Sequence, residues 1–485
     1  MNDNEKKMLD ECLGQKWYAQ SCPIYPFFIS AAATSGFYMK RFVGFGYTKY
    51  LYVFKDGYGS MNYFEEDLVR LGGIIEKKVE KDPKYFQKLK RRYDAQMKRY
   101  LRFYSKMDKK RVEGLNDYEL VKLAKYVSEG LSIAVGIGHV IEPFALKTDV
   151  KIKEELKRYV KDEKGLNNIF TLLMSPVKKS FVNEEEEHLW LISKEKDEKK
   201  REKLIQQHIK KFFWIRNNYT GRQAMTREDI TDSIKTLKNN KTDFRKILDD
   251  KNRAIKELGL EKGLIVKIKA TEFLIHWQDE RKKNILIAIE HIDRMLEALG
   301  LRFGIRHDLL KNAIPPEISI ENMKSKKYVK MLEERMKGGL YLQTADTSTV
   351  ATGDYYMDFA ARFNRTKESD IREINGMTAS SGTAIGRVQI CTNLESISQF
   401  KEGNVLVASM TRPEYVLAMK KAVAIITDEG GITCHAAIVS RELGIPCIIG
   451  TKIATKILHD GDLVEIKGNH GLIIILEKAK SGGKG

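Results

Sequence analysis

A single histidine, His435, stands where a short apolar segment gives way to a helical pattern, and this setting suits phosphoryl transfer. The run AVAIITDEGG predicts a buried strand that ends at Gly430 and Gly431, and AAIVSRELG predicts a helix closed by Gly444 and stopped by Pro446. At a helix N-terminus the unpaired N–H groups and the helix dipole stabilise an anion by about 0.3–1 kcal/mol, and by up to ~2 kcal/mol when partly buried. A phosphohistidine at this position would be stabilised where it forms.

The neighbours of this histidine each have a structural and a chemical interpretation. The glycine pair permits positive φ and a close approach of backbone to phosphate, and it would equally make a tight turn. Thr433 can cap the helix or hydrogen-bond phosphoryl oxygens, and the sequence favours neither. Cys434 is interpreted as a small structural neighbour rather than as a nucleophile. Arg441 and Glu442 form either a solvated pair or a support for the loop, and the sequence leaves this open.

The string GG-x-T-C-H-A-A-I-V-x-R-E-L-G-I-P resembles the phosphohistidine signature of the mobile, swivelling domain of the phosphoenolpyruvate-utilising enzymes, the family of phosphoenolpyruvate synthase and pyruvate phosphate dikinase. The triplet Thr433-Cys434-His435 is most similar to the synthase branch. The similarity continues through SGTAIGRV, VLVASMTRPEYVLAMKKA and HDGDLVEIKGNHGLI, and it covers residues 376–477. This resemblance implies that His435 is a covalent nucleophile which carries a phosphoryl group between two sites.

The chain divides into segments of different composition. Residues 1–340 are mainly helical in pattern and basic, 341–375 form a strand-containing connector and linker, 376–478 form the histidine domain, and 479–485 form a flexible tail. We therefore predict a multidomain protein with a mostly α-helical N-terminal region and a C-terminal α/β swivelling phosphohistidine domain. The polar stretch 364–375 is the predicted tether, with a reach of about 40 Å when extended.

Charge and cysteine content narrow the class of protein. The net charge is +19, but residues 371–478 contain 11 Lys and Arg against 11 Asp and Glu, so the positive charge belongs to the N-terminal part. The five cysteines have neither metal-ligand spacing nor a disulfide pattern, and no metal site is predicted. The N-terminus lacks an apolar leader-like run, and runs such as LIIIL are short for a membrane span. We expect a soluble, cytoplasmic protein without a membrane partner.

The helical region contains one group of candidate acceptor-binding residues. In HIKKFFWIRNNY, His208, Trp214 and Arg216 fall close together, with a spacing loosely similar to segments in the helical domains of dikinase-like phosphotransferases. An arginine and a histidine beside an aromatic ring can hold a phosphorylatable acceptor. The alternative is that these side chains belong to the core, as aromatic residues at helical spacing often do. His139, in a glycine-rich apolar stretch, is interpreted as a buried histidine with satisfied hydrogen bonds.

Two parts of a complete dikinase are not recognisable in the sequence. No Gly-rich phosphate loop or ATP-grasp domain precedes the helical region, and no phosphoenolpyruvate-binding barrel follows residue 478. The order is similar to that of rifampin phosphotransferase without its ATP-grasp domain, or to the histidine-bearing subunit of a split enzyme. The resemblance therefore implies a dikinase-type phosphotransferase component. An ATP-grasp-type partner would bind ATP and Mg²⁺, and the acceptor would be a small molecule, pyruvate-like or another hydroxyl compound.

Two other classes of protein compete with this interpretation. The net charge suggests nucleic-acid binding, but the lysines are spread among glutamates, as on solvated helix faces. The second alternative is a non-catalytic regulatory or scaffold protein that keeps the mobile domain as an interaction module. The intact Gly-Gly-x-Thr-Cys-His string argues against a loss of the chemistry.

Overall fold

The computed structural model describes residues 2–33, 35–107, 112–235, 237, 243–363, 372–431 and 434–479. The chain forms two compact units, and each combines segments that are distant in sequence. The first unit comprises Met1–Phe144, Asn217–Gln223 and Arg281–Lys367. The second unit comprises Ala145–Arg216, Ala224–Glu280 and Glu368–Gly485. We call Ala145–Arg216 together with Ala224–Glu280 the helical segment, and the rest of the second unit the histidine domain.

Helices dominate the chain up to the histidine domain. In chain order they are α1 (Asp3–Asp10), α2 (Pro26–Ala33), α3 (Ser35–Val43), α4 (Glu65–Lys81), α5 (Tyr85–Tyr104), α6 (Asp117–Val135), α7 (Ile141–Leu156), α8 (Glu163–Met174), α9 (Phe181–Lys194), α10 (Glu198–Phe212), α11 (Arg227–Lys235), α12 (Phe244–Glu257), α13 (Lys262–Phe303), α14 (His307–Leu310), α15 (Ile320–Met323), α16 (Lys326–Met336), α17 (Gly353–Phe363), α18 (Leu394–Ser398), α19 (Val416–Lys421), α20 (His435–Leu443) and α21 (Ala454–Ile457). Capping boxes mark several of their starts, with Asn116 before α6 and Ser180 before α9 each accepting the N–H three residues on.

The strands fall into two sheets. They are β1 (Trp17–Pro23), β2 (Lys49–Lys55), β3 (Tyr58–Phe64), β4 (Gly339–Thr344), β5 (Ser348–Ala351), β6 (Glu373–Asn375), β7 (Met377–Ser380), β8 (Thr383–Ile390), β9 (Val405–Ala408), β10 (Ala424–Thr427), β11 (Cys447–Ile449), β12 (Leu463–Lys467) and β13 (Leu472–Glu477). The sheet of the first unit has the order β1-β3-β2-β4-β5, and that of the second unit β6-β13-β12-β8-β9-β10-β11-β7.

The first unit surrounds an antiparallel sheet. Strands β2 and β3 form a hairpin whose turn residues Asp56 and Gly57 both have positive φ, +50° and +71°, as a tight hairpin turn requires. Strand β4 joins this hairpin from the far end of the sequence by pairing with β2. The segment that the sequence marks as a connector thus contributes β4 and β5 to this sheet.

The second unit is built on the eight-stranded sheet. Strands β8 to β11 are parallel, and β9 and β10 are the apolar runs VLVA and AIIT, buried at every position. Such runs are typical of parallel strands that are covered on both faces. One apolar cluster includes residues of α7, α8 and α13 from the helical segment, for example Phe170, and residues of the histidine domain, for example Leu406 and Ala437. The two parts of this unit therefore share a core.

The structure confirms the predicted class, with helices in the N-terminal region and an α/β C-terminal domain. The grouping of the chain differs from the predicted boundaries, because part of the helical block 1–340 packs with the histidine domain and part with the other sheet. Amphipathic patterns specify a helix and its apolar face, but not which distant face covers it. Within the predicted tether, 364–371 lie outside the described residues, and Glu373–Asn375 is strand β6, paired with β13.

Among the residues that the structure describes, one helical stretch, Asp117–Leu156, is long and apolar enough to cross a membrane. Its most apolar window has a mean hydropathy of 1.2 and is 83% buried inside the protein. This burial is typical of a core helix. The sequence analysis considered only uninterrupted apolar runs, and charged residues interrupt this stretch.

Candidate functional site

His435 is the first residue of α20, and the structure confirms the predicted helix. The residue before it, Cys434, is the N-cap, and its Sγ accepts the N–H of Ala437 at 3.4 Å. At the other end Gly444 adopts the left-handed conformation, with φ +64°, that closes helices. The backbone of β10 leads directly into the loop before this helix, so the sheet fixes the position of the histidine.

The two glycines of the loop are needed for different reasons. Gly430 has φ +116°, and a Cβ there would lie 2.7 Å from Sγ of Cys434. Gly431 is needed for space, because a Cβ there would lie 2.8 Å from Oδ2 of Asp149, a fully buried residue of α7. The loop that presents the histidine therefore packs directly against the helical segment. Thr433, for which two roles were predicted, lies outside the described residues.

The ring of His435 is buried, with 5% of its surface exposed. Its Nδ1 lies 2.9 Å from Oγ1 of Thr411, a buried residue in the loop after β9. When Nδ1 carries the proton and donates it to this hydroxyl, the lone pair of the neutral ring is on Nε2. The contact with Thr411 is thus compatible with the tautomer in which Nε2 is the nucleophilic nitrogen.

Two carboxyl groups precede the glycine pair and have raised pKa values. Burial raises the pKa of Asp428, against the hydrogen bonds from Thr451 and Thr455. Burial and the neighbouring Asp428 raise the pKa of Glu429 to about 8. Since this value lies above neutral pH, Glu429 is mainly protonated at pH 7. Glu429 therefore adds little negative charge to the loop that leads to the histidine.

Arg441 is partly buried and bonds to strand β7. Its Nη1 donates to the carbonyl of Ala379 on β7 at 3.3 Å. Burial lowers its pKa to about 10, opposed by the nearby Cys434, Cys447 and Asp149. The guanidinium therefore keeps its charge at neutral pH. Its burial does not fit a solvated pair, and a role in supporting the loop stays a prediction.

The three candidate acceptor-binding residues all lie in the helical segment. His208 is fully buried, with its Nδ1 3.2 Å from Nδ1 of His188. The buried ring of Trp214 packs edge-to-face on Phe181, at 5.3 Å between centroids. Arg216 forms an ion pair with a carboxylate of α11. Each has a protein partner here, and their role toward an acceptor stays a prediction.

His139, in the first unit, has the environment that the sequence indicated. Its Nδ1 lies 2.9 Å from the hydroxyl of Tyr47, and its Nε2 lies 3.2 Å from that of Tyr63. Burial lowers its pKa to about 4. It is a neutral, hydrogen-bonded core histidine.

Thr411 and Asp149 are the site residues that sequence reasoning did not single out. Thr411 lies inside the run VLVASMTRPEYVLAMKKA, which carries the family resemblance, so a signal for it existed. Asp149 lies far away in the sequence and had no such signal. Among the residues that the structure describes, no group of three or more His, Cys, Asp or Glu side chains is placed to hold a metal ion.

The site consists of one buried histidine at a helix N-terminus, behind a double-glycine loop, in an α/β domain. This arrangement is the one expected of a phosphohistidine domain. Residues 400–471 match the PEP-utilising enzyme, mobile domain, family. The C-terminal part of this chain is therefore a mobile domain of the phosphoenolpyruvate-utilising enzymes.

Several curated proteins are similar to this chain. A probable phosphoenolpyruvate synthase of Methanothermobacter thermautotrophicus is 40% identical over 175 residues, 34% of this chain and 26% of the relative. A probable phosphoenolpyruvate synthase of Pyrococcus abyssi is 56% identical over 100 residues, 21% of this chain and 12% of the relative. The uncharacterized phosphotransferase YvkC of Bacillus subtilis is 46% identical over 106 residues, 22% and 13% of the two chains. The matches thus span about a quarter or less of these relatives, whose names place the domain in enzymes.

Proposed function

We propose that this protein is a dikinase-type phosphotransferase component in which His435 carries a phosphoryl group. The donor is ATP bound with Mg²⁺ to an ATP-grasp-type partner, and the acceptor is a small hydroxyl compound, pyruvate-like or other. The observation that carries the proposal is the setting of His435 in a mobile domain of this family, at a helix N-terminus and with Nδ1 held by Thr411.

The histidine divides one transfer into two easier steps. Nε2 attacks the β-phosphorus of ATP, a P–N bond forms and AMP leaves. Water then removes the terminal phosphoryl group as inorganic phosphate, which leaves phosphohistidine. In the second step the acceptor oxygen attacks phosphorus, the P–N bond breaks, and the hydroxyl proton is released. Mg²⁺, held with the nucleotide, neutralises phosphate charge.

The surroundings of His435 favour the charged intermediate. The N-terminus of α20 directs backbone N–H groups and the positive end of its dipole toward an anion on the ring. Glu429 is mainly neutral at pH 7, and Arg412, a largely buried cation, follows Thr411 directly. Phosphoryl transfer depends mostly on positioning and charge neutralisation, which these groups supply.

The burial of His435 supports movement of the histidine domain. With 5% of its surface exposed, the ring has no room to meet a nucleotide on another protein in this arrangement. We infer that the arrangement described is a docked state on the helical segment, and that the histidine leaves it to take up phosphate. The test is labelling with β-labelled ATP and the ATP-grasp-type proteins of the same organism, taken one at a time. An acid-labile, base-stable label on His435 is expected.

Replacing Thr411 by valine should slow phosphorylation of His435 about tenfold, because a buried hydrogen bond worth about 1–3 kcal/mol no longer holds Nδ1 of the ring in place. The rate of labelling measures this. Thr378→Val is the matched control, since it removes a buried hydroxyl that bonds to the carbonyl of Gly468 in the same domain. Equal labelling rates in the two variants would contradict the role of Thr411.

A further inference from the structure

A buried carboxylate holds a partly exposed histidine in the first unit. Asp293, on α13, is 3% exposed, and its Oδ1 lies 2.9 Å from Nε2 of His307, the first residue of α14. The side chain of His307 is 33% exposed. The pair therefore joins an enclosed anion to a ring that a small molecule can reach.

The other partners of Asp293 keep its carboxyl group ionised. Its Oδ2 accepts the N–H of Arg222 at 3.0 Å, and Nζ of Lys311 lies 3.3 Å from Oδ1. The same ammonium group donates to the carbonyl of Thr220 at 2.9 Å. Burial acts to raise the pKa of Asp293, but the bond from His307 and the charge of Lys311 outweigh it and lower the pKa below its ordinary value. The group is thus a carboxylate at neutral pH.

This carboxylate determines which nitrogen of His307 carries the proton. An ionised carboxylate only accepts hydrogen bonds, so Nε2 must be the donor. In the neutral ring the lone pair then lies on Nδ1. Among the described residues no group bonds to Nδ1, and this atom is not one of the enclosed atoms that lack a partner. Nδ1 can therefore take a proton from a bound molecule.

The histidine is not needed to neutralise the buried charge. Gly221 has φ +119°, and a Cβ there would lie 2.7 Å from Nζ of Lys311 and 2.8 Å from Oδ1 of Asp293. The glycine thus leaves room for the lysine on the carboxylate. Since Lys311 already supplies a cation, the contact with His307 does something further, which is to orient the ring.

We propose that His307, oriented by Asp293, is a catalytic base for the hydroxyl group of the phosphoryl acceptor. The inference rests on the proposed function for its substrate, a small hydroxyl compound, and it assigns the binding of that compound to the first unit. A correctly placed base accelerates such a reaction by about 10²–10⁴-fold. Asp293 is a positioning residue, because it acts through the ring.

The base completes the second half of the transfer. The acceptor oxygen bonds to phosphorus through its lone pair, while its proton moves to Nδ1 of His307. The P–N bond of phosphorylated His435 breaks, and its electron pair stays on that ring. The resulting imidazolium of His307 is stabilised by Asp293 and then gives its proton to water.

Discharge of the labelled protein tests the proposal on the full chain. His435 is first phosphorylated with phosphoramidate, a small phosphoryl donor, and the protein is then mixed with the small-molecule fraction of an extract from cells of the same organism. In His307→Ala the maximal rate of label loss should fall at least about a hundredfold, with a similar half-saturating amount of extract. Phosphorylation by phosphoramidate should keep its wild-type rate, because this step does not use the base.

His276→Ala is the matched control. The side chain of His276 is also 33% exposed, but its Nε2 lies 3.8 Å from Oε1 of Glu280, whose side chain is 41% exposed. It therefore has equal exposure without a buried carboxylate at hydrogen-bond distance, and this variant should discharge at the wild-type rate. In Asp293→Asn the amide can donate to Nε2, which places the ring proton on Nδ1, so discharge should also slow about a hundredfold.

Two further measurements separate a base from a structural residue. Imidazole added to His307→Ala should restore part of the discharge rate in proportion to its concentration, because the alanine leaves space for a small base beside Asp293. His307→Gln keeps a side chain that can donate to Asp293 but offers no basic nitrogen, so its discharge should stay slow. Wild-type discharge in His307→Gln, or a slow His307→Ala that imidazole does not accelerate, overturns the proposal.

The inference and the proposed function fail separately. Absence of ATP-dependent labelling, or a label on wild type that no small molecule removes, contradicts the function. A wild-type label that is discharged, and that leaves His307→Gln equally fast, contradicts only the role of His307.

Discussion

Replacing His435 by alanine is expected to abolish the acid-labile, base-stable label that the protein acquires from β-labelled ATP and its nucleotide-binding partner. The alanine has no nitrogen to form the P–N bond, and within the described residues no second histidine occupies a helix N-terminus behind a double-glycine loop. The loss should be complete, because a covalent intermediate needs its nucleophile. Stability should change little, since a buried water or a small shift of the Thr411 side chain can replace the hydrogen bond between Thr411 and the ring.

His459→Ala is the control for this experiment. That histidine lies in the same domain, its side chain is 65% exposed, and it should be labelled neither before nor after mutation of the other. Label that persists in His435→Ala, or that disappears in His459→Ala, would contradict the assignment of His435 as the nucleophile.

Replacing Gly430 by alanine should lower the rate of His435 phosphorylation about a hundredfold, because an error of about 1 Å in the position of a reacting group has an effect of this size. Gly430 has φ +116°, and the added Cβ would meet Sγ of Cys434, the N-cap of α20, at 2.7 Å. The loop and the first turn of the helix would both shift. Labelling rates from a nucleotide-loaded partner and from phosphoramidate would measure the loss.

The control separates backbone strain from the geometry of the site. Gly403 also has positive φ, +86°, but a Cβ there meets nothing within 4 Å. Gly403→Ala should decrease stability by a strain of about 1–3 kcal/mol, as Gly430→Ala does, while the labelling rate stays near wild type. If both variants were labelled equally slowly, general destabilisation would explain the result and the loop would have no special role.

The shared core of the second unit bears on how the histidine domain moves. Apolar residues of α7, α8 and α13 lie in one cluster with those of the histidine domain, so release exposes apolar surface and has a free-energy cost.

Local sequence determined the parts of the site that depend on neighbours in the chain. The strand β10, the glycine turn, the start of α20 at His435 and its end at Gly444 all follow from apolar runs, capping and backbone preferences within about 20 residues. For the same reason the α/β nature of the C-terminal domain was predictable. The resemblance to a known family came from this contiguous segment and supplied the chemistry.

Only the tertiary structure decided which distant residues meet this segment. The pairing of β4 with β2 turned an apparent connector into part of a sheet, because a strand's apolar pattern does not name its partner. Asp149 lies where a Cβ on Gly431 would have to go, and burial, Asp279 and Glu186 raise the pKa of Glu442. These properties depend on burial and on charges that folding brings together. Both are set by the packing of distant segments, and the local sequence does not determine them.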